Sequence, residues 1–162
     1  MPAGGVTRNP NGASSQRVWP TTGFTALTVG SPDDQGKAVI YVGFAIDFLS
    51  EHRFKHVVCV GASNGASGCA YNAAEPEIEG LGLLTYHGSA DRSSSDVPKL
   101  FMAAELDDLY RPETEAEYAR AAQPKSLVII PSTAETGPQM LDVGGQDWHQ
   151  TLIAFVKTCT AE

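Results

Sequence analysis

The 162-residue sequence lacks any long apolar run and any cluster of basic side chains. No apolar segment reaches the ~18 residues that a membrane-spanning helix requires, so the sequence predicts no membrane partner. The 11 Lys and Arg residues are scattered among 19 Asp and Glu residues, and the net charge is −8. Because a phosphate backbone is bound by clustered cationic side chains, we expect no nucleic-acid partner.

Cysteine is also scarce, since Cys59, Cys69 and Cys159 are the only three in the sequence. Their number is odd and their spacing differs from that of zinc ligands, so no metal site is predicted. Cys59 lies in an apolar run and Cys69 in a predicted helix, and both are expected to be reduced, buried thiols. The first residues show no pattern of a secretory leader, and a cytoplasmic location is the resulting expectation.

Apolar runs alternate with segments of helical periodicity, which is typical of an α/β fold with a mostly parallel sheet flanked by helices. The composition, with 42% hydrophobic and 19% charged residues, predicts one globular domain over residues 1–162. Residues 1–22 are rich in Gly, Pro, Asn and Ser and are predicted to be irregular. Strands are predicted at residues 24–29, 57–60, 81–86, 99–104 and 126–130.

Helices are predicted before residue 57, directly after Ser63, and over residues 113–122 and 147–159. In the first of these, apolar residues recur at spacings of three and four and predict one buried stripe. The stripe consists of Ala38, Tyr41, Val42, Ala45, Phe48 and Leu49.

Residues 57–66 read VVCVGASNGA, an apolar run that ends in a Gly-x-Ser-x-Gly sequence. A serine at such a strand-to-helix junction projects its hydroxyl above the carboxyl edge of the sheet, so Ser63 is a candidate nucleophile. Gly61 and Gly65 are expected to keep side chains away from the neighbouring strand and helix. The N–H of Asn64, at the helix start, is a candidate oxyanion donor. The alternative is a tight packing turn with a passive serine.

With this turn, the sequence resembles the α/β-hydrolase superfamily, in particular compact, lidless serine hydrolases of the dienelactone-hydrolase type. The resemblance covers the segments AIDFLSEHRFKHVVCVGASNGA, VPKLFMAAELDD and QPKSLVIIPSTAETGPQML. It implies an N-terminally shortened hydrolase fold of about six strands, acting on small ester-like substrates without a cofactor. Residues 5–19 are similar to a degraded first core strand and oxyanion loop, in which the N–H of Ala13 would be the second oxyanion donor.

The resemblance places the acid at Asp107, in the loop after the strand predicted at residues 99–104, and a solvated acidic turn is the alternative. The family's histidine after the last strand is absent, because Glu135 and Thr136 stand at that position. A threonine hydroxyl is not basic near neutral pH, and a carboxylate with a pKa of about 4.3 is a poor base for a serine hydroxyl. Another residue must therefore act as the base in an active enzyme.

Four histidines are candidates for this base. His52 and His56 precede the serine's strand and are expected at the opposite end of the sheet, on the surface. His149 would reach Ser63 only if the loop before it folds back. His87 ends the strand that is expected beside the serine's strand, so its imidazole could stand between the nucleophile and the acid.

Two functional hypotheses are left open by the sequence. In the first, the protein is a serine hydrolase in which Ser63 attacks an ester-like substrate and Asp107 orients His87. In the second, the hydrolase fold has lost turnover and binds a small molecule or a protein partner. The second hypothesis includes a homodimer formed through an exposed apolar edge of the sheet.

Overall fold

In the part of the chain that the structure describes, four parallel strands form one sheet, and their order in space follows their order in the chain. The computed structural model describes residues 23–30, 34–88, 95–143 and 148–161. The strands are β1 (Val57–Ala62), β2 (Ile78–Leu84), β3 (Lys99–Ala104) and β4 (Lys125–Ile130). The helices are α1 (Gln35–Glu51), α2 (Asn64–Tyr71), α3 (Arg111–Arg120) and α4 (Trp148–Cys159), with a 3₁₀ helix at Gly137–Asp142 before α4.

The predicted α/β class is confirmed, but the described residues form a sheet of four strands rather than the roughly six that the resemblance implies. Residues 24–29, predicted as a strand, pair with none of the strands that the structure describes and are almost entirely exposed. Apolar and β-branched residues favour a strand only where a neighbouring strand supplies hydrogen bonds and a surface to pack on. The predicted first core strand, within residues 1–22, lies outside the described residues.

Helices cover both faces of the sheet. Successive side chains of the inner strands alternate between two core clusters, so Leu83 and Phe101 join one cluster while Leu84 and Met102 join the other. The first cluster includes residues of α1 and α2, with Tyr118 of α3 packed against it, and the second includes residues of the 3₁₀ helix and α4. Strands β2 and β3 are accordingly buried on both faces, as expected for parallel strands. None of the helices in the described ranges combines the length and the hydropathy of a membrane-spanning segment.

A disulfide bond between Cys59 and Cys69 joins β1 to α2, with the two Cα atoms 5.5 Å apart. The expectation that both are reduced thiols is therefore wrong. The reason is geometric: α2 packs back against β1 after the turn at Ser63, which brings a cysteine of the strand beside a cysteine of the helix. Cys159 is free and half-buried, and burial raises the pKa of its thiol to about 11.

Candidate active site

Ser63 occupies a strained turn between β1 and α2. Its backbone angles are φ 52° and ψ −119°, in a region that residues other than glycine rarely adopt. Its N–H donates to the carbonyl of Leu84 at 3.0 Å, and its own carbonyl accepts the N–H of Ser67 at 3.1 Å. These two bonds tie the turn to β2 and to the first turn of α2, and they hold Ser63 at the carboxyl edge of the sheet.

The two glycines that flank Ser63 have different surroundings. A Cβ atom on Gly61 would lie 2.3 Å from the carbonyl carbon of Gly65 and 2.5 Å from the nitrogen of Ala66, so a larger residue does not fit. A Cβ atom on Gly65 would meet no described atom within 4 Å. Gly61 thus leaves no room for a side chain, as expected. At Gly65 no described neighbour would clash with a side chain.

The hydroxyl of Ser63 lies beside an imidazole. Because β1 and β2 are parallel neighbours, with Ala62 opposite Leu84, the residues that follow them meet at one edge. Ser63 Oγ is 2.9 Å from His87 Nε2. In the neutral tautomer that is protonated on Nδ1, the hydroxyl donates to Nε2, which is the arrangement needed for proton abstraction.

Three further residues hold His87 in place. Ser67 Oγ donates to the carbonyl of His87, and Thr114 Oγ1 donates to the carbonyl of Tyr86, both at 3.0 Å. The ring of Tyr110 stacks on the imidazole, with the centroids 5.3 Å apart and 28° between the planes. No sequence pattern indicates a role for Thr114 or Tyr110. Ser67 could have been found, because it lies one helical turn after Ser63.

Asp107 lies at the same edge of the sheet, in the turn that leads into α3. Its side chain is buried, and Oδ1 accepts the N–H groups of Leu109 at 3.2 Å and Tyr110 at 2.9 Å. Oδ2 has no hydrogen-bond partner in the described part of the chain. In the described structure, no hydrogen bond joins the Asp107 carboxylate to the His87 imidazole. The structure thus brings Ser63 and His87 together and places the Asp107 carboxylate on the backbone of the turn.

The other histidines are bound elsewhere. His52 Nδ1 lies 2.8 Å from the carbonyl of Phe48, and His56 contacts Glu79; both histidines are exposed and lie at the amino end of β1. His149 Nε2 is 2.9 Å from Asp142 Oδ1. None of these three contacts involves the serine.

The loop after β4 crosses the carboxyl edge of the sheet without an imidazole. Glu135 and Thr136 are exposed there, and Thr136 directly precedes the 3₁₀ helix. The N–H of Gly137 donates to the buried Thr85 Oγ1 at 2.9 Å, which anchors the loop to the end of β2. Two exposed side chains thus lie where the resemblance places a histidine.

Of the two predicted oxyanion donors, Asn64 is the first residue of α2. The first four N–H groups of a helix have no intrahelical acceptor, so the N–H of Asn64 is available to an anion. Ala13 lies outside the described residues. Across those that are described, no group of His, Cys, Asp or Glu residues is arranged to hold a metal ion.

Two solved structures have a similar arrangement of strands and helices. One is an alpha-beta serine hydrolase homologue from Coxiella burnetii, with a TM-score of 0.54, 17% identity, and coverage of 80% of this chain and 60% of that chain. The 162-residue chain thus has an α/β-hydrolase-like fold. The other structure is Est816, described as an N-acyl homoserine lactone degrading enzyme, with a TM-score of 0.51, 12% identity, and coverage of 58% of this chain and 66% of that chain.

The α/β-hydrolase-like chain therefore spans about 60 to 66% of the length of these two structures. Its sequence matches no protein-family model and no curated protein. The fold that the resemblance implies is confirmed. The imidazole beside Ser63 follows β2, whereas the resemblance places a histidine after the last strand.

Proposed function

We propose that the protein is a serine hydrolase of small ester-like substrates, with Ser63 as the nucleophile and His87 as the general base. The observation that carries this proposal is the 2.9 Å distance between Ser63 Oγ and His87 Nε2 at a strained strand-to-helix turn. A serine is activated when a histidine within hydrogen-bonding reach accepts its proton during attack. The two structural neighbours, a serine hydrolase homologue and a lactone-degrading enzyme, support the same class of chemistry.

In the proposed reaction, Ser63 Oγ attacks the ester carbonyl while its proton passes to His87 Nε2. The tetrahedral intermediate expels the alcohol, which takes the proton from His87, and an acyl-serine remains. Water then attacks this acyl group while His87 accepts a proton from it. The second tetrahedral intermediate breaks its bond to Ser63 Oγ, which takes the proton back from His87, and the carboxylic acid is released. The reaction uses only side chains, backbone N–H groups and water, so it requires no cofactor.

The developing oxyanion would be stabilised at the start of α2. The N–H of Asn64 follows the nucleophile directly, and the positive end of the helix dipole favours negative charge at this point. We propose the N–H of Ala13 as the second donor. One such donor is typically worth about 10²- to 10³-fold in kcat.

A second candidate function is binding without turnover. It is favoured by the Asp107 carboxylate, which contacts backbone N–H groups and makes no hydrogen bond to His87 in the described part of the chain. An imidazole without a carboxylate partner is a less effective base. This hypothesis predicts that a small ligand or a protein partner binds near Ser63 and dissociates without being chemically changed.

Hydrolysis of p-nitrophenyl acetate distinguishes the two functions. We expect Ser63→Ala and His87→Gln each to lower kcat/KM by at least about 10³-fold, because each removes a participant in bond formation. His149→Gln is the matched control and should leave the rate unchanged, since His149 contacts Asp142. A rate that Ser63→Ala leaves unchanged would exclude the serine mechanism. A wild type that does not hydrolyse the ester above the uncatalysed rate would leave binding without turnover.

A further inference from the structure

The imidazole of His87 is contacted at its edge by Ser63 and on its face by Tyr110. The tyrosine ring stacks at a centroid distance of 5.3 Å, while Nε2 lies 2.9 Å from the serine hydroxyl. A histidine side chain that turns freely about its two torsions spends only part of its time aimed at the nucleophile. A stacked ring restricts these torsions, because turning the imidazole breaks the aromatic contact.

The main chain at His87 is fixed independently of this contact. Hydrogen bonds from Ser67 and Thr114 hold the carbonyls of His87 and Tyr86, and both hydroxyl side chains are fully buried. The backbone is therefore anchored from α2 and from α3. These hydrogen bonds do not restrict the side-chain torsions of His87. The Tyr110 ring, which stacks on the imidazole, does restrict them.

The position of Tyr110 depends in turn on Asp107. The Asp107 carboxylate accepts the N–H of Tyr110 at 2.9 Å, and the carbonyl of Asp107 accepts the N–H of Arg111 at 3.1 Å. Asp107 is only 6% exposed, so solvent screens these bonds little. The carboxylate thus fixes the turn from which the tyrosine ring reaches the imidazole.

We infer that Tyr110 is a positioning residue for His87, and that Asp107 supports the imidazole through Tyr110 instead of bonding to it directly. This inference rests on the proposed serine hydrolase function. It explains how a buried carboxylate contributes to the site while its Oδ1 is occupied by backbone N–H groups.

Substitutions of Tyr110 test the aromatic contact. We expect Tyr110→Leu to lower kcat by about 10- to 100-fold, with KM changed by less than about threefold, because positioning acts on the chemical step. Tyr110→Phe keeps the ring and should retain most of the activity. Tyr41→Leu, which removes a half-exposed tyrosine from α1, is the matched control and should not change the rate. Equal activity of Tyr110→Leu and the wild type would overturn the inference.

Substitutions of Asp107 test the indirect route. An asparagine oxygen still accepts the two N–H groups of the turn, so Asp107→Asn should keep kcat within about tenfold of the wild type, whereas an acid bonded directly to the imidazole loses about 10⁴-fold on this change. Asp107→Ala should resemble Tyr110→Leu, and the double variant should lose little more than either single one. A 10⁴-fold loss in Asp107→Asn would contradict the indirect route.

The proton NMR signals of His87 provide a readout that does not depend on turnover. Protons over the face of the Tyr110 ring are shifted upfield, so this shift should disappear in Tyr110→Leu and persist in Tyr110→Phe. If the wild type shows no Ser63-dependent hydrolysis but the His87 shift responds in this way, the proposed function fails while the positioning contact stands. If the shift is the same in all three proteins, the inference is wrong whether or not the protein is active.

Discussion

At the scale of single residues, Ser63 and Thr85 both have positive φ values, 52° and 48°. They follow the neighbouring strands β1 and β2, so two strained residues lie side by side at the carboxyl edge of the sheet. Such conformations cost on the order of 1–3 kcal/mol each and persist where the surroundings hold them. Here, Ser63 is held by the bond from its N–H to the carbonyl of Leu84 at 3.0 Å, and Thr85 is held by the bond from the N–H of Gly137 to its Oγ1 at 2.9 Å.

Tyr86, next to His87, gives a pH-dependent prediction. Its side chain is fully buried, and its hydroxyl has no hydrogen-bond partner among the residues described. Burial, together with the nearby Glu117 charge, raises the pKa of this phenol from 10.0 to about 12. A raised pKa means that the phenol's contribution to stability is complete below pH 10 and is lost as the pH rises through about 12.

We therefore expect the wild type to lose more stability between pH 10 and about 12 than Tyr86→Phe, which has no proton to release. Below pH 10 the variant should be at least as stable as the wild type, because it removes a buried hydroxyl that lacks a partner. Urea unfolding midpoints across this pH range measure both effects. If the unfolding midpoints of the wild type and Tyr86→Phe change in parallel up to pH 12, the Tyr86 phenol does not have the raised pKa.

At the scale of elements, the turn between β1 and α2 determines where Ser63, the proposed nucleophile, lies. We expect Gly61→Ala to lower the free energy of unfolding by about 2–3 kcal/mol, because the added methyl overlaps the backbone of Gly65. Gly65→Ala is the matched control and should change stability by no more than about 1 kcal/mol, in the stabilising direction, through helix propensity. Denaturant unfolding of both variants measures this, and equal losses would mean that the turn is not packed as described.

The elements differ in how well the sequence predicted them. Strand β3 has the predicted bounds, because a continuous apolar run matches a strand that is buried on both faces. Strand β2 ends at Leu84 rather than at Tyr86, since the positive φ of Thr85 removes it from the ladder. In α1 the predicted stripe included Tyr41 and Phe48, which are exposed. Apolar residues lie on several sides of this helix, so their spacing does not identify the buried face.

The site was predictable only where it follows from sheet topology. Ser63 and His87 follow neighbouring parallel strands, and the ends of such strands meet at one edge. The contact between His87 and Tyr110 joins loops after different strands, and no local pattern predicts it. The same applies to the Asp107 carboxylate, whose location at the sheet edge was expected but whose hydrogen bonds to backbone N–H groups were not.

At the scale of the whole molecule, the disulfide between Cys59 and Cys69 closes a short loop around the turn that carries Ser63, with a sequence separation of 10. Disulfide bonds persist in oxidising compartments, whereas the cytoplasmic location was expected together with reduced thiols. That location stays a prediction. The homodimer also stays a prediction. In the described part of the sheet, β1 pairs only with β2 and is therefore an edge strand, and α1 exposes the apolar side chains of Ile40 and Phe44.

The cross-link leads to a prediction about global stability. Closing a loop of this length is worth about 2–3 kcal/mol by chain entropy, which corresponds to a Tm change of about 5–10 °C. We expect a reductant to lower the Tm of the wild type by this amount and to leave the Cys59→Ala/Cys69→Ala double variant unaffected. Calorimetry with and without dithiothreitol measures the shift. A wild-type Tm that does not respond to the reductant would contradict a stabilising disulfide.

The most direct measurement on the proposed catalytic pair is covalent labelling by a fluorophosphonate, with the modified residue located by peptide mass spectrometry. An activated serine is phosphonylated on its hydroxyl, whereas a passive serine is not. We expect a single adduct on Ser63 in the wild type and in His149→Ala, and no adduct in His87→Ala. An unlabelled Ser63, or labelling that is unchanged in His87→Ala, would contradict an active serine–histidine pair.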